Sequence, residues 1–191
     1  MDVVRAIEER RAYRSLEQVE IPDETVRELA RCAALAASCF NNQPARFVFV
    51  RSREGLERLR PVFSRGNEWC TAASMVAAVF SGRELDCVIG EREYFLFDTG
   101  MAVATMILRA TELGLVAHPI AGFNEKKAKE ALRIPESMRL ITLILFGKRS
   151  GARSPLLSDA QWELEQKRPE RLSFEKFVWM ESYGEPGVRK G

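Results

Sequence analysis

Apolar residues recur along the chain at two periods, and the alternation between them predicts its elements. Residues 2–11 set Val3, Val4 and Ile7 among charges at helical spacing. Pro22 opens a second helix, with Asp23 and Glu24 in its first turn and Val26, Leu29, Ala33 and Ala36 on one face. The run Arg46-Phe47-Val48-Phe49-Val50-Arg51 predicts a first strand. A helix follows near 53–63, stopping around Pro61, and Met75–Phe80 predicts a second, buried strand. Further on, Leu115-Val116-Ala117 is a short strand, Asn124 caps a helix through Leu132, and Leu140–Phe146 is the clearest strand of all. Gly147–Pro155 reads as a loop; Ser158 with Gln161 forms a capping box for a helix to about Lys167. A last amphipathic piece, Phe174–Met180, carries Phe177, Val178 and Trp179.

The longest apolar pattern runs from Arg92 to Leu113, and Gly114 stands where a helix-ending residue belongs. Twenty-odd helical residues span ~33 Å at 1.5 Å each. Phe95, Phe97, Met101, Val103, Met106, Ile107 and Leu108 leave little polar girth, so most sides of this helix must be covered. A second subunit is the favoured cover, and packing on the chain's own sheet is the alternative. Four strands interleaved with helices, with helices bunched at both ends, predict an α+β fold. The expected form is a mixed central sheet of four to five strands flanked by helices, with the long helix at a dimer interface. No repeat or linker divides the chain, so residues 1–191 read as one domain, with a C-terminal arm from about 156 to 191 that embraces a second subunit.

Composition narrows the function. The chain is 46% hydrophobic and 29% charged, and 29 Lys and Arg against 27 Asp and Glu leave a net charge of +2. That balance gives no bulk argument for nucleic acid. Cys32, Cys39, Cys70 and Cys87 are spread without a Cys-x-x-Cys pair, and His118 is the only histidine. Reduced thiols and no metal site are therefore expected. Met1-Asp2-Val3-Val4-Arg5 lacks a signal-peptide layout, and no apolar run reaches the ~20 residues of a membrane helix, so a cytoplasmic protein is expected.

Three segments carry candidate chemistry. Arg10, Arg11 and Arg14 form the densest basic cluster, and guanidinium forks grip phosphate bidentately. A solvated helix end paired with Glu8 and Glu9 is the competing reading. Asn41, Asn42 and Gln43 before Pro44 offer donors and acceptors to the edge of a heteroaromatic ring, or simply end a helix in a turn. His118-Pro119-Ile120-Ala121-Gly122-Phe123 places a glycine where backbone can approach a ligand, or is an ordinary strand-to-helix turn with a packed histidine. There is no Gly-x-Gly-x-x-Gly and no Walker-type loop.

In this order and spacing the segments resemble the FMN-dependent nitroreductase family, over about residues 3–184. Arg10-Arg11-Ala12-Tyr13-Arg14, Ser38-Cys39-Phe40-Asn41-Asn42-Gln43-Pro44, Asp98 with its long helix, Leu113-Gly114-Leu115, Pro119-Ile120-Ala121-Gly122-Phe123, Arg171–Val178 and Tyr183-Gly184 all follow the family's order. The resemblance implies an obligate homodimer holding FMN at the subunit interface. It also implies a ping-pong oxidoreductase, in which NADH or NADPH gives a hydride to flavin N5 and a nitro compound, quinone or similar planar acceptor takes it up. Arg10 and Arg171 would bind the FMN phosphate, with Arg11 and Arg168 nearby. Ala12 would contribute backbone only, and Arg14 would sit by flavin N1 and the C2 carbonyl. Ser38, Cys39 and Asn41 would approach the ring from the other subunit. Pro119 and Ile120 would lead to the amides of Ala121 and Gly122, facing N5. Asn67 is the nearest candidate for a pyrimidine contact. Ala45 replaces the family's usual aromatic, and bulky Phe40 would line the substrate side. A dehalogenating, enone-reducing or flavin-fragmenting enzyme of the same fold, or a flavin-binding sensor or carrier without turnover, are the alternatives.

Overall fold

The computed structural model of the chain describes residues 2–185. Its first helix, α1 (Val3–Glu9), is capped by Asp2, whose carboxylate accepts from the Arg5 N–H at 2.9 Å. It is followed by β1 (Leu16–Glu17), α2 (Asp23–Ala34), β2 (Arg46–Val50), α3 (Arg53–Leu59), β3 (Met75–Ser81), β4 (Val88–Ile89) and β5 (Arg92–Glu93). The second half holds α4 (Tyr94–Glu112), β6 (Val116–Ile120), α5 (Glu125–Leu132), β7 (Arg139–Arg149) and α6 (Asp159–Gln166). Both expected caps are present: the Asn124 side chain accepts from Lys127 N–H, and Ser158 with Gln161 makes the reciprocal pair. Gly114 takes the left-handed φ of +74° that ends α4.

The α+β fold is as expected, with β7 at the centre of a five-stranded sheet. One edge of β7 pairs with β3, which carries β2 outside it. The other edge pairs with β6, and the far end of β7 pairs with β1. The sheet was expected to be mixed, but every pairing among the described residues is antiparallel. The α5 connection stays at the end of the sheet where β6 finishes, and a chain re-entering there runs antiparallel. Pro119 sits within β6, where only one neighbour needs its backbone, and its ring is exposed.

Both faces of the sheet are covered, which is why β3 and β7 read as unbroken apolar runs. Alternate residues go to opposite sides. Val76, Ala78, Leu143 and Leu145 pack with Leu59, Val62 and Trp69 on one side. Met75, Ala77, Ile144 and Phe146 pack with Leu29 of α2 and Met106 and Ala110 of α4 on the other. Helix α4 buries Phe95, Ala102, Met106, Ile107 and Ala110, yet Leu96 stays partly open and Phe97 is 63% exposed.

Two segments depart from the sequence pattern. The stretch 82–90, to which the sequence pattern assigns no element, leads into the β4–β5 hairpin, turning at Gly90 with φ +63°. The amphipathic piece 174–180 forms only a short 3-10 turn at Phe174–Lys176, and Phe174, Phe177, Trp179 and Met180 remain largely exposed. Seven residues are too few to sustain a helix without a surface to pack on. The last part of the expected arm, 186–191, lies outside the described residues. Among the described residues no helix is long and apolar enough to cross a membrane.

Candidate functional site

Four arginines meet where the two ends of the described chain come together. Arg10, the residue that closes α1, lies beside Arg168, Arg171 and Arg11. Burial first, and then the repulsion of those three, pushes its guanidinium below the usual arginine pKa. No carboxylate forms an ion pair with any of the four among the described residues; Glu9, the partner expected of a solvated helix end, pairs with Arg5 at 2.6 Å. Two of the arginines are held by main-chain carbonyls. Arg11 donates to Leu164 and Glu165 at the end of α6, at 3.1 and 3.2 Å. Arg168 donates to the carbonyls of Glu8 and Arg10 at the end of α1. Those carbonyls lack helical partners, and the negative pole of each helix favours a cation. Arg10 and Arg171 are left with guanidinium groups that have no anion.

A second line of contacts leads from this cluster toward the turn after β6. The Arg14 guanidinium lies 6.0 Å from the centre of the Trp69 ring. Trp69 packs on His118 with ring centres 4.6 Å apart, and its indole N–H donates to Asn67 Oδ1 at 3.2 Å. Asn67 Nδ2 donates to the Gly122 carbonyl at 2.9 Å. A side chain at 122 would collide with that nitrogen, so glycine here lets the turn close on Asn67. Ile120 is pinned by Thr142, whose hydroxyl donates to its carbonyl at 2.8 Å. Ala121 and Pro119 stay exposed, as does Ala12 at the other end.

His118 is a packed histidine. Its Nδ1 lies 3.0 Å from the Tyr13 carbonyl, and burial, opposed by that bond, lowers its pKa to about 4. It is therefore neutral near pH 7 and anchors the arginine segment to β6. Glu165 does similar work and was not singled out from sequence: buried in α6, it accepts from the backbone N–H of Arg14 and, at 2.8 Å, of Ser15. A glutamate among the charges of a short helix carries no signal of this role.

The loop 38–43 stands apart. No hydrogen bond, ion pair or ring contact joins it to the arginine cluster or the 119–122 turn among the described residues. The Ser38 hydroxyl accepts from Gln43 N–H at 2.9 Å, and Phe40, Asn41 and Gln43 all take positive φ. Phe40 is 87% exposed. The expectation of four reduced cysteines is corrected here: Cys39 and Cys87 form a disulfide, while Cys32 and Cys70 are free. Spacing hid the pair, because its partners are 48 positions apart and meet only when the loop and the hairpin fold over the start of α4, with Cα atoms 6.1 Å apart. The Cys39 N–H donates to Asp98 at 2.6 Å. Both the sulfur and the amide N–H of Cys39 are thus engaged within the chain. Ala45 lines a cavity of about 220 Å³ walled by Ala33, Ala37 and Ala102.

The sequence pattern of the nitroreductase family matches residues 7–69 and 89–148. The chain belongs to this family. The matched spans of this nitroreductase-family chain contain the first arginine segment, the 38–43 loop, Asn67, α4 and the 119–122 turn, but neither Cys87 nor Arg168 and Arg171. Solved structures share the fold. A nitroreductase family protein from Clostridium novyi NT is 23% identical with a TM-score of 0.73, covering 97% of each chain. An oxidoreductase containing FMN is 21% identical with a TM-score of 0.80, over 94% of this chain and 92% of that one. A protein from Exiguobacterium sibiricum 255-15, solved in complex with FMN, is 22% identical with a TM-score of 0.71, over 82% of this chain and 94% of that one.

Proposed function

We propose that the chain is an FMN-dependent oxidoreductase acting as a homodimer, fed by NADH or NADPH and reducing a nitro compound, quinone or similar planar acceptor. The observation that carries this reading is the anion-less pair Arg10 and Arg171, connected through Arg14, Trp69 and Asn67 to the backbone turn at Gly122. A phosphate at one end and a planar ring system reaching toward the other match that layout. The fit is chemical as well: like charges held together without a counter-ion favour a dianion strongly, and the turn at Ala121 and Gly122, closed on Asn67, leaves Ala121 exposed.

FMN, when bound, supplies a ring that takes and returns two electrons at N5. The chain's own residues hold and tune it. Arg10 and Arg171 would grip the phosphate. Arg14, fixed through its backbone by Glu165, would put a cation beside the N1 side of the ring, which favours accumulation of electrons there. The amides of Ala121 and Gly122 would face N5, with the turn braced by Asn67. No side chain here acts as a strong acid or base; the only histidine is buried and neutral.

The dimer explains why the 38–43 loop stands away from the arginines. In a two-fold dimer a contact of one segment with a different segment of the partner occurs twice, once in each direction, so the loop of each copy serves the slot of the other. Exposed Leu35, Phe40, Leu96 and Phe97 give that contact an apolar surface.

The deciding experiment is the visible spectrum of purified, desalted protein, with any chromophore released and identified, followed by NADH and NADPH oxidation with a nitroaromatic and a quinone. Released FMN with acceptor-dependent oxidation supports the reading. A colourless protein that ignores added FMN removes it, and bound FMN without oxidation of either donor leaves a carrier or sensor.

A further inference from the structure

The disulfide lies where one chain segment is under conformational strain. Phe40, Asn41 and Gln43 hold φ of 48°, 59° and 51° without being glycine. Such a backbone persists only when several ties fix it. The ties are the Cys39 N–H on Asp98, the Gln43 N–H on Ser38, the Asn42 side-chain amide on Asp86 at 3.3 Å, and the bond to Cys87. Of these the covalent one is chemically reversible. Asp86 and Cys87 lie in the stretch between the two spans that match the family pattern, so this tie belongs to the chain rather than to the pattern.

We propose that Cys39 and Cys87 are a reversible thiol–disulfide exchange site, reduced by a dithiol, whose state locks or frees the 38–43 loop.

The surroundings suit exchange at this bond. Both cysteines are half-buried on surface segments, next to exposed Phe40 and Val88. Cys70 is the contrast: it is 2% exposed, and burial pushes its thiol up to about 12. The Asn42 Nδ2 lies 3.4 Å from Cys87 Sγ, placed to donate to a departing thiolate. Asp86 Oδ2 is buried without a donor, and its carboxyl faces that of Asp98. Burial raises the Asp98 pKa, against the pull of the Cys39 N–H, and the neighbouring Asp86 carboxyl adds to the rise.

The exchange balances as follows. A thiolate of the incoming dithiol attacks Cys39 Sγ, and the bond to Cys87 breaks. Cys87 leaves as a thiolate beside Asn42 and takes up a proton from solvent. The second thiol of the reagent then attacks its own sulfur in the mixed disulfide and releases Cys39. One dithiol becomes one disulfide, two electrons pass to the cysteines, and the two protons that the reagent gives up to solvent are matched by the two taken up on Cys39 and Cys87. An effect on cofactor affinity follows only if the loop meets FMN, and that part rests on the proposed function.

The test is to equilibrate the folded protein with graded ratios of reduced and oxidised dithiothreitol, quench with an alkylating reagent, and map the labelled peptides by mass spectrometry. Cys39 and Cys87 are expected to change together as one two-electron couple while Cys70 stays unlabelled. Independent labelling of the two at every ratio overturns the proposal, and so does resistance to reduction until the protein unfolds. Hydrogen exchange at residues 38–43 reads the lock: faster exchange in the reduced form and in Cys87→Ser is expected, and equal rates overturn it. FMN fluorescence titration of the oxidised form, the reduced form and Cys87→Ser then separates the two readings. At least threefold tighter binding by the oxidised form is expected. Equal affinities overturn the coupling, whereas no binding by any form overturns the cofactor assignment and leaves the thiol map to stand alone.

Discussion

Asn67 fills the space that a side chain on residue 122 would need, and donates its amide to the Gly122 carbonyl at 2.9 Å. Gly122→Ala therefore displaces Asn67 from both Gly122 and Trp69. The expected cost is about 1–3 kcal/mol, from overpacking and broken hydrogen bonds. Urea unfolding of Gly122→Ala, Asn67→Ala and the double variant checks it, with a coupling above about 0.5 kcal/mol expected between contacting residues. Additive effects would show that the two do not meet.

Arg171→Ala and Arg10→Ala each remove one charge-assisted phosphate contact, about 1.5–3 kcal/mol. FMN affinity should fall about 10–150-fold in each, read by fluorescence titration. An unchanged Kd would take the phosphate away from this cluster.

Arg14→Ala acts differently. The cation beside the ring goes, while the phosphate grip stays. The flavin midpoint potential should drop with FMN still bound, and spectroelectrochemical titration measures it. An unmoved potential sinks the role.

Stability should carry the signature of His118. Its folded pKa of about 4 lies below the ordinary value of 6.5, so the unfolded chain binds the proton first. The contribution is complete above about 6.5 and is lost as pH falls toward 4, by roughly 3 kcal/mol. Urea unfolding at pH 7.5 and 4.5 should show that loss in the native protein, and a smaller one in His118→Asn. Equal losses in the two would place the titration elsewhere.

Phe97→Asp tests the subunit contact. A charge on an apolar patch that a second copy covers should turn dimer into monomer in sedimentation velocity, with far-UV circular dichroism unchanged. A wild-type monomer at micromolar concentration would remove the dimer reading outright.

Much of this was legible in local pattern. The helix caps at Asn124 and Ser158, the end of α4 at Gly114 and the apolar runs of β3 and β7 follow from short-range chemistry that the order of residues states directly. The arginine segment and the glycine turn were visible as candidates. What no local pattern states is long-range pairing. Cys39 finds Cys87, Glu165 finds the amides of Arg14 and Ser15, and Asn67 finds Gly122 only after the sheet has fixed distant loops side by side. Strand direction escaped for the same reason: the sense of β7 against β6 is set by where α5 delivers the chain.

The arginine cluster has a consequence for how the protein is made. Arg10 and Arg11 lie at the end of α1, whereas Leu164 and Glu165 lie in α6 and Arg168 just beyond it, more than 150 positions later. The anion site proposed for these arginines thus does not exist on a growing chain until α6 has docked. Whatever anion then binds favours the docked arrangement by mass action, acting as a clasp between two distant stretches of chain.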